Sequence, residues 1–130
     1  PKLILRFYDD ANQSELKAPS NLSIWAEGKD TISAFKSVSL DSIYIPLKTN
    51  SSETIYNFKT STSGNTTDNK YNKLTINYTT EEVFVSRSCG FKTIFNSVTI
   101  TSDNGWVQSF TPNTLTTINN ETSAHVKIYH

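Results

Sequence analysis

Any reaction run by this 130-residue chain would have to rest on two histidines, one cysteine and a few paired acids. Imidazole is the usual general base near neutral pH, and His125 and His130 both stand near the C-terminal end. Five residues apart, they face opposite sides of a continuous strand, so they cannot chelate one metal together. They read as two surface imidazoles. Cys89 lies between Arg87 and Lys92, and neighbouring cations favour a nucleophilic thiolate, but nothing in the sequence orients a base toward it. Asp9-Asp10 and Glu81-Glu82 have the residue types of a glycosidase pair or of calcium ligands, yet neighbours on a strand point apart. Asp103-Asn104-Gly105 is a fragment of a calcium loop without the alternating acids and the distal glutamate; it reads as a turn. No catalytic residue, metal ligand or cofactor site is therefore assigned.

The richest material for binding is aromatic: two Trp, six Tyr and seven Phe. Most must fill the core, but exposed rings on a β-sandwich serve carbohydrate and peptide binders. Trp25, Trp106, Tyr8, Tyr129 and Tyr44 are the candidates for such a face. Asn-X-Ser/Thr triplets at Asn12, Asn21, Asn50, Asn65, Asn77 and Asn120 are what so Asn- and Thr-rich a chain produces by chance. They become glycosylation sites only in a eukaryotic secretory pathway. Cys89, as an odd cysteine, is read either as a buried thiol, the usual fate, or as half of a bridge to something outside the sequence.

The elements that must position these residues are short strands. Apolar, aromatic and β-branched runs recur about every ten residues between Asn, Gly, Pro and Ser clusters. Leu3, Leu5 and Phe7 share one face of a first strand, and Ile4, Arg6 and Tyr8 the other. Leu22 to Ala26 forms a second, with Trp25 opposite Leu22, Ile24 and Ala26. A polar loop, with one helical turn at Ser14 to Lys17, separates the two. Val38 to Ile45 ends at an edge or in a loop, because Pro46 cannot donate to a ladder. Thr54 to Lys59 pairs with Lys73 to Thr79, with Ile55, Leu74, Ile76 and Tyr78 inward, across the polar linker Thr60 to Asn72. Glu82 to Arg87 is a further strand, and the spacing of Phe91, Ile94 and Phe95 also fits one helical turn. Asn104-Gly105 supplies the positive φ angles of a tight hairpin between Val98–Thr101 and Trp106–Phe110. Ala124 to Tyr129 closes the chain.

These signals predict an all-β fold: an antiparallel β-sandwich of immunoglobulin-like architecture with seven to nine short strands. Residues 1–130 fit one domain. Ser, Thr and Asn make up more than a third of the chain, and twelve basic residues balance twelve acidic ones. No phosphate-tracking patch is visible, which argues against nucleic acid. No run approaches the roughly 20 apolar residues that span a bilayer. The chain opens on Pro1-Lys2 without a Met or a targeting peptide, so the natural N-terminus is expected to lie upstream.

Three blocks carry a resemblance: Leu3 to Asp9 (LILRFYD), Val83 to Asn96 (VFVSRSCGFKTIFN) and Ala124 to His130 (AHVKIYH). The chain resembles a family of envelope lipoproteins of unknown function from Bacteroides-like bacteria. The resemblance implies a signal peptide ending in a lipidated cysteine, a tether, and a domain facing the periplasm or the cell surface from the outer membrane. It also implies a second cysteine shortly before the segment matching Leu3. Cys89 would then bridge to it, reversing the preference for a buried thiol. Arg87, Lys92, His125 and Lys127 are polar beyond what packing needs. They either tie the first and last strands together or form a docking surface for another envelope protein. The expected function is a lipid-anchored, non-enzymatic envelope module that binds or scaffolds another envelope component. The alternative is a carbohydrate-binding or adhesin-like domain with a glycan partner.

Overall fold

The period of two in Leu3–Tyr8 makes β1, whose Leu3, Leu5 and Phe7 are fully buried. In the computed structural model, which describes residues 1–62 and 68–130, eight further strands follow. They are β2 (Ser23–Ala26), β3 (Ser42–Ile45), β4 (Glu53–Thr60), β5 (Lys70–Ser86), β6 (Gly90–Ser102), β7 (Ser109–Thr111), β8 (Thr114–Ile118) and β9 (Val126–Tyr129). They form a four-stranded sheet in the order β3-β1-β9-β7 and a five-stranded sheet in the order β2-β4-β5-β6-β8. The architecture is thus the expected β-sandwich. One pairing departs from the antiparallel rule: β1 runs parallel to β9, with Leu5 opposite Val126 and Phe7 opposite Ile128.

The two inner faces meet in one core. Leu5, Phe7, Ile43, Val126 and Ile128 come from one sheet, and Ile24, Phe58, Leu74, Ile76 and Ile100 from the other, all essentially without solvent contact. Burying each such side chain contributes about 1.5–3 kcal/mol. β3 is an edge strand that ends at Pro46, as the missing donor requires.

Three local expectations are corrected. Ile55 faces outward, because β4 instead turns Thr54, Tyr56 and Phe58 to the core. That choice buries two aromatic rings in place of one aliphatic chain, and the polar cost is met by hydrogen bonds. Tyr78 donates to the Lys48 carbonyl at 2.7 Å, Thr54 Oγ1 lies 2.6 Å from the Tyr78 hydroxyl, and the Lys48 amide donates to Thr54 Oγ1 at 3.0 Å. Tyr56 donates to the Pro46 carbonyl, and burial pushes its pKa up to about 12. No helical turn forms at Ser14–Lys17 or at Phe91–Phe95. The first is a turn closed by the Glu15 amide on the Asn12 carbonyl, and the second lies within β6. A 3-10 turn forms at Ser33–Phe35.

Asp103-Asn104-Gly105 does not close a hairpin. Asn104 has the positive φ of 53°, but the segment crosses from β6 in one sheet to β7 in the other. Asn72, buried on β5, takes the place of a hairpin partner. Its Oδ1 accepts from the Gly105 amide at 2.6 Å and from the Val107 amide at 3.2 Å. Trp106 then inserts into the core and donates its indole hydrogen to the Phe58 carbonyl at 3.1 Å. β8, rich in β-branched residues, pairs along β6 and was not legible as a strand beside Pro112.

Candidate functional site

The two histidines are engaged one at a time. His125 Nδ1 accepts from the Ile4 amide at 2.9 Å, and its Nε2 is aimed at the Asn120 carbonyl at 2.8 Å. With the His125 amide on the Ile4 carbonyl, this side chain continues the β1–β9 pairing beyond the strand. His130 is half-buried, edge-on to Phe7 and Trp106, with Nε2 2.7 Å from the Lys17 carbonyl. Burial holds its pKa below the ordinary imidazole value, helped by the Lys17 ammonium and opposed by the Lys17 carbonyl and Asp9.

The acids serve local structure. Asp9 accepts from the Ala11 amide, Glu81 from the Asn96 side chain, and Asp103 from the Lys73 amide. Among the described residues, no three His, Cys, Asp or Glu side chains come close enough to hold a metal ion.

The four polar candidates divide. Lys92 Nζ donates to the Asn119 carbonyl at 2.9 Å, so Lys92 and His125 converge on the same loop. Lys127 lies apart from them, its ammonium 5.6 Å from the centre of the Tyr8 ring. Arg87 is exposed in the turn between β5 and β6. Strand pairing explains where that turn is. β4 pairs with β5 only as far as Asn77, and β8 with β6 only from Phe95 onward. Residues 80–94 therefore project from the sheet as a two-stranded arm.

The arm carries the largest exposed apolar groups of the described chain. Phe84 and Phe91 face each other across it, ring centres 5.6 Å apart, and are 59% and 65% exposed. Val85 stands beside them at an irregularity in the ladder. Gly90, with φ of 73°, closes the turn at Arg87-Ser88-Cys89. Cys89 is exposed, which corrects the buried-thiol reading: the turn leaves nothing to cover it. Its amide donates to Ser86 Oγ at 3.0 Å, and side-chain hydrogen bonds from Ser86 and Ser88 hold the thiol pKa below its usual value. Beneath the arm's root, Lys92, Thr93 and Phe95 line a groove of about 390 Å³ with Pro1, Lys2 and Leu47.

The aromatic candidates also divide. Trp106 and Tyr129 are buried, contrary to expectation: the crossover carries Trp106 into the core, and Tyr129, on the face opposite the core-facing Ile128, is covered beside Tyr8. Tyr8 is half-buried beside Tyr129, and Tyr44 is exposed on β3. Trp25 is half-buried on the outer face of the five-stranded sheet, 6.4 Å from Tyr71 with the ring planes at 81°. Sequence reasoning missed Phe84, Phe91 and Tyr71 as surface residues. A signal was present in Val83-Phe84-Val85, since three successive apolar residues put rings or branches on both faces of a strand.

Fold and surface together define a two-sheet β-sandwich with a projecting, aromatic-tipped arm. The chain belongs to the Family of unknown function (DUF6452), whose sequence model matches residues 21–130. The matched span holds the arm and every strand except β1. The comparisons with curated proteins and with solved structures gave no match.

Proposed function

We propose that this protein is a lipid-anchored, non-enzymatic module of the cell envelope that binds or scaffolds another envelope component through the β5–β6 arm. The exposed Phe84–Phe91 pair is the observation that carries the reading. Clustered exposed aromatics beside arginine are the composition of a binding hot spot, and contiguous apolar surface is avoided where it serves no contact. The unpaired edges of the arm add backbone donors and acceptors for strand addition. Arg87 and Lys92 flank the rings as the charged rim. The engaged state of both histidines supports a non-enzymatic role. Anchoring in the outer membrane, with the domain in the periplasm or at the cell surface, follows from the resemblance of the three sequence blocks.

The same reading makes Cys89 the bridge partner of a cysteine upstream of Leu3. Pro1 and Lys92 line one groove, and Lys92 is three residues from Cys89. In the full-length protein the Cys89 thiol then resists alkylation until it is reduced.

The test is a photo-crosslinking residue at Phe91 in the full-length, lipidated protein in its own cells, followed by mass spectrometry. One dominant envelope protein is expected, lost when Phe84→Ser is introduced or when Arg87 and Lys92 are changed to Ala. Recovery of bulk lipoproteins alone, unchanged by these substitutions, overturns the proposal.

A further inference from the structure

A second surface, remote in sequence from the arm, has the chemistry of a saccharide site. The outer face of the five-stranded sheet is mostly small and polar, with Asn57, Lys73, Thr75, Asn77, Thr99 and Thr101 turned to solvent by the strand register. Trp25 and Tyr71 interrupt it. Trp25 stands opposite Asn57 and Tyr71 opposite Lys59, so the two rings meet diagonally across β4. Their planes, 81° apart, make a floor and a wall. The turn after β2 folds back through a bridge between Trp25 and Thr31 and brings Lys29, Asp30 and Thr31 to the rim. Trp25, Tyr71, Lys59 and this turn enclose an open hollow of about 350 Å³.

We propose that this hollow binds a carbohydrate. One face of a pyranose ring is lined by C–H groups and stacks on an aromatic face, while its edge hydroxyls demand both donors and acceptors. The hollow supplies each: Trp25 or Tyr71 as the stacking surface, Lys29 and Lys59 as donors, the Asp30 carboxylate as acceptor, and the Thr31 hydroxyl as either. A purely anionic ligand would leave the rings without a role and place Asp30 against it. A hydrophobic ligand would leave three charged groups unpaired. Volume near the lower end of the range for ligand sites, about 300–1,000 Å³, and an open mouth fit a short saccharide or the end of a longer chain. This site shares no residue with the arm, so it stands or falls independently of the docking proposal.

The test is an array of neutral hexose, amino-sugar and uronic-acid oligosaccharides, followed by fluorescence titration of the saccharide that binds. Trp106 is buried, so a fluorescence change on adding sugar reports Trp25. Trp25→Ala and Tyr71→Ala are each expected to weaken binding by about tenfold or more, and Asp30→Asn to weaken it several-fold, while Phe84→Ser in the arm leaves it unchanged. All four positions face solvent or are half-exposed, and retained thermal unfolding confirms that each variant folds. An array with no ligand at millimolar saccharide, or a ligand whose affinity is indifferent to both Trp25→Ala and Tyr71→Ala, overturns the proposal.

Discussion

Cys89 shows how a surface residue acquires chemistry from its nearest neighbours. The turn at Arg87-Ser88-Cys89 leaves the thiol in solvent, and the hydroxyls of Ser86 and Ser88 donate to its charged form, drawing its pKa below the usual value. Because the thiolate is the nucleophile, alkylation of this chain by iodoacetamide should rise with pH about a midpoint lower than that of an unstructured cysteine peptide. Replacing both serines with alanine should return the midpoint to the peptide's value. A variant profile that coincides with the original would show that the hydroxyls do not act on the thiol. His125 makes the complementary point: a histidine that the sequence offers as a free imidazole is spent on the Ile4 amide and the Asn120 carbonyl.

Between residue and fold, the crossover from β6 to β7 depends on one buried side chain and one missing Cβ. Asn72 satisfies the Gly105 and Val107 amides and reaches Ser102 Oγ at 3.0 Å. A Cβ on Gly105 would lie 1.8 Å from the Tyr71 carbonyl oxygen, a backbone atom that cannot step aside. Asn72→Ala should therefore cost about 1–3 kcal/mol, chiefly by orphaning the buried Val107 amide, since water can reach the part-buried Gly105 amide. Gly105→Ala should be destabilising by a comparable amount, since backbone must move to admit a methyl group. Urea unfolding of both variants checks this, and a midpoint unchanged in either would show that the crossover is held elsewhere. The arm contrasts with the crossover. Its rings are exposed, so Phe84→Ser should leave the unfolding midpoint nearly unmoved while abolishing crosslinking.

At the scale of the whole molecule, His130 joins parts that are far apart in the chain. Its ring packs on Phe7 and Trp106, its Nε2 meets the Lys17 carbonyl, its own carbonyl accepts from the Asp10 amide, and Lys17 Nζ reaches it at 3.2 Å. Burial lowers its pKa in the folded state, so between the folded and unfolded values the unfolded chain binds more protons. Its stabilising contribution is complete above the unfolded pKa of about 6.5 and is lost as the pH falls through the lower folded value. Urea midpoints should accordingly fall between pH 7 and pH 5, and the fall should be shallower in His130→Gln. Keeping above pH 5 separates this from Glu27, whose carboxyl is held below its usual value by Asn57 and Lys73 and responds only to stronger acid. Equal slopes for the two proteins would remove His130 from the pH response.

The sequence by itself determined the all-β class, the number of strands within its range, the buried face of β1, the outward turn of Trp25 and the end of β3 at Pro46. Each follows from alternation or from proline's missing donor, which act over a few residues. Tertiary structure alone decided which strands pair and how far. The end of β4 pairing at Asn77 of β5 and the start of β8 pairing at Phe95 of β6 turn ordinary strand residues into an exposed arm, so Phe84 and Phe91 are surface, while the crossover to the other sheet makes Trp106 core. The same holds for Asn72, whose polar side chain looks like loop chemistry until the crossover amides come to it across 33 residues. Partner choice in a β-sandwich is set by contacts between distant segments, and a pattern with a period of two is silent about which distant segment a strand will meet.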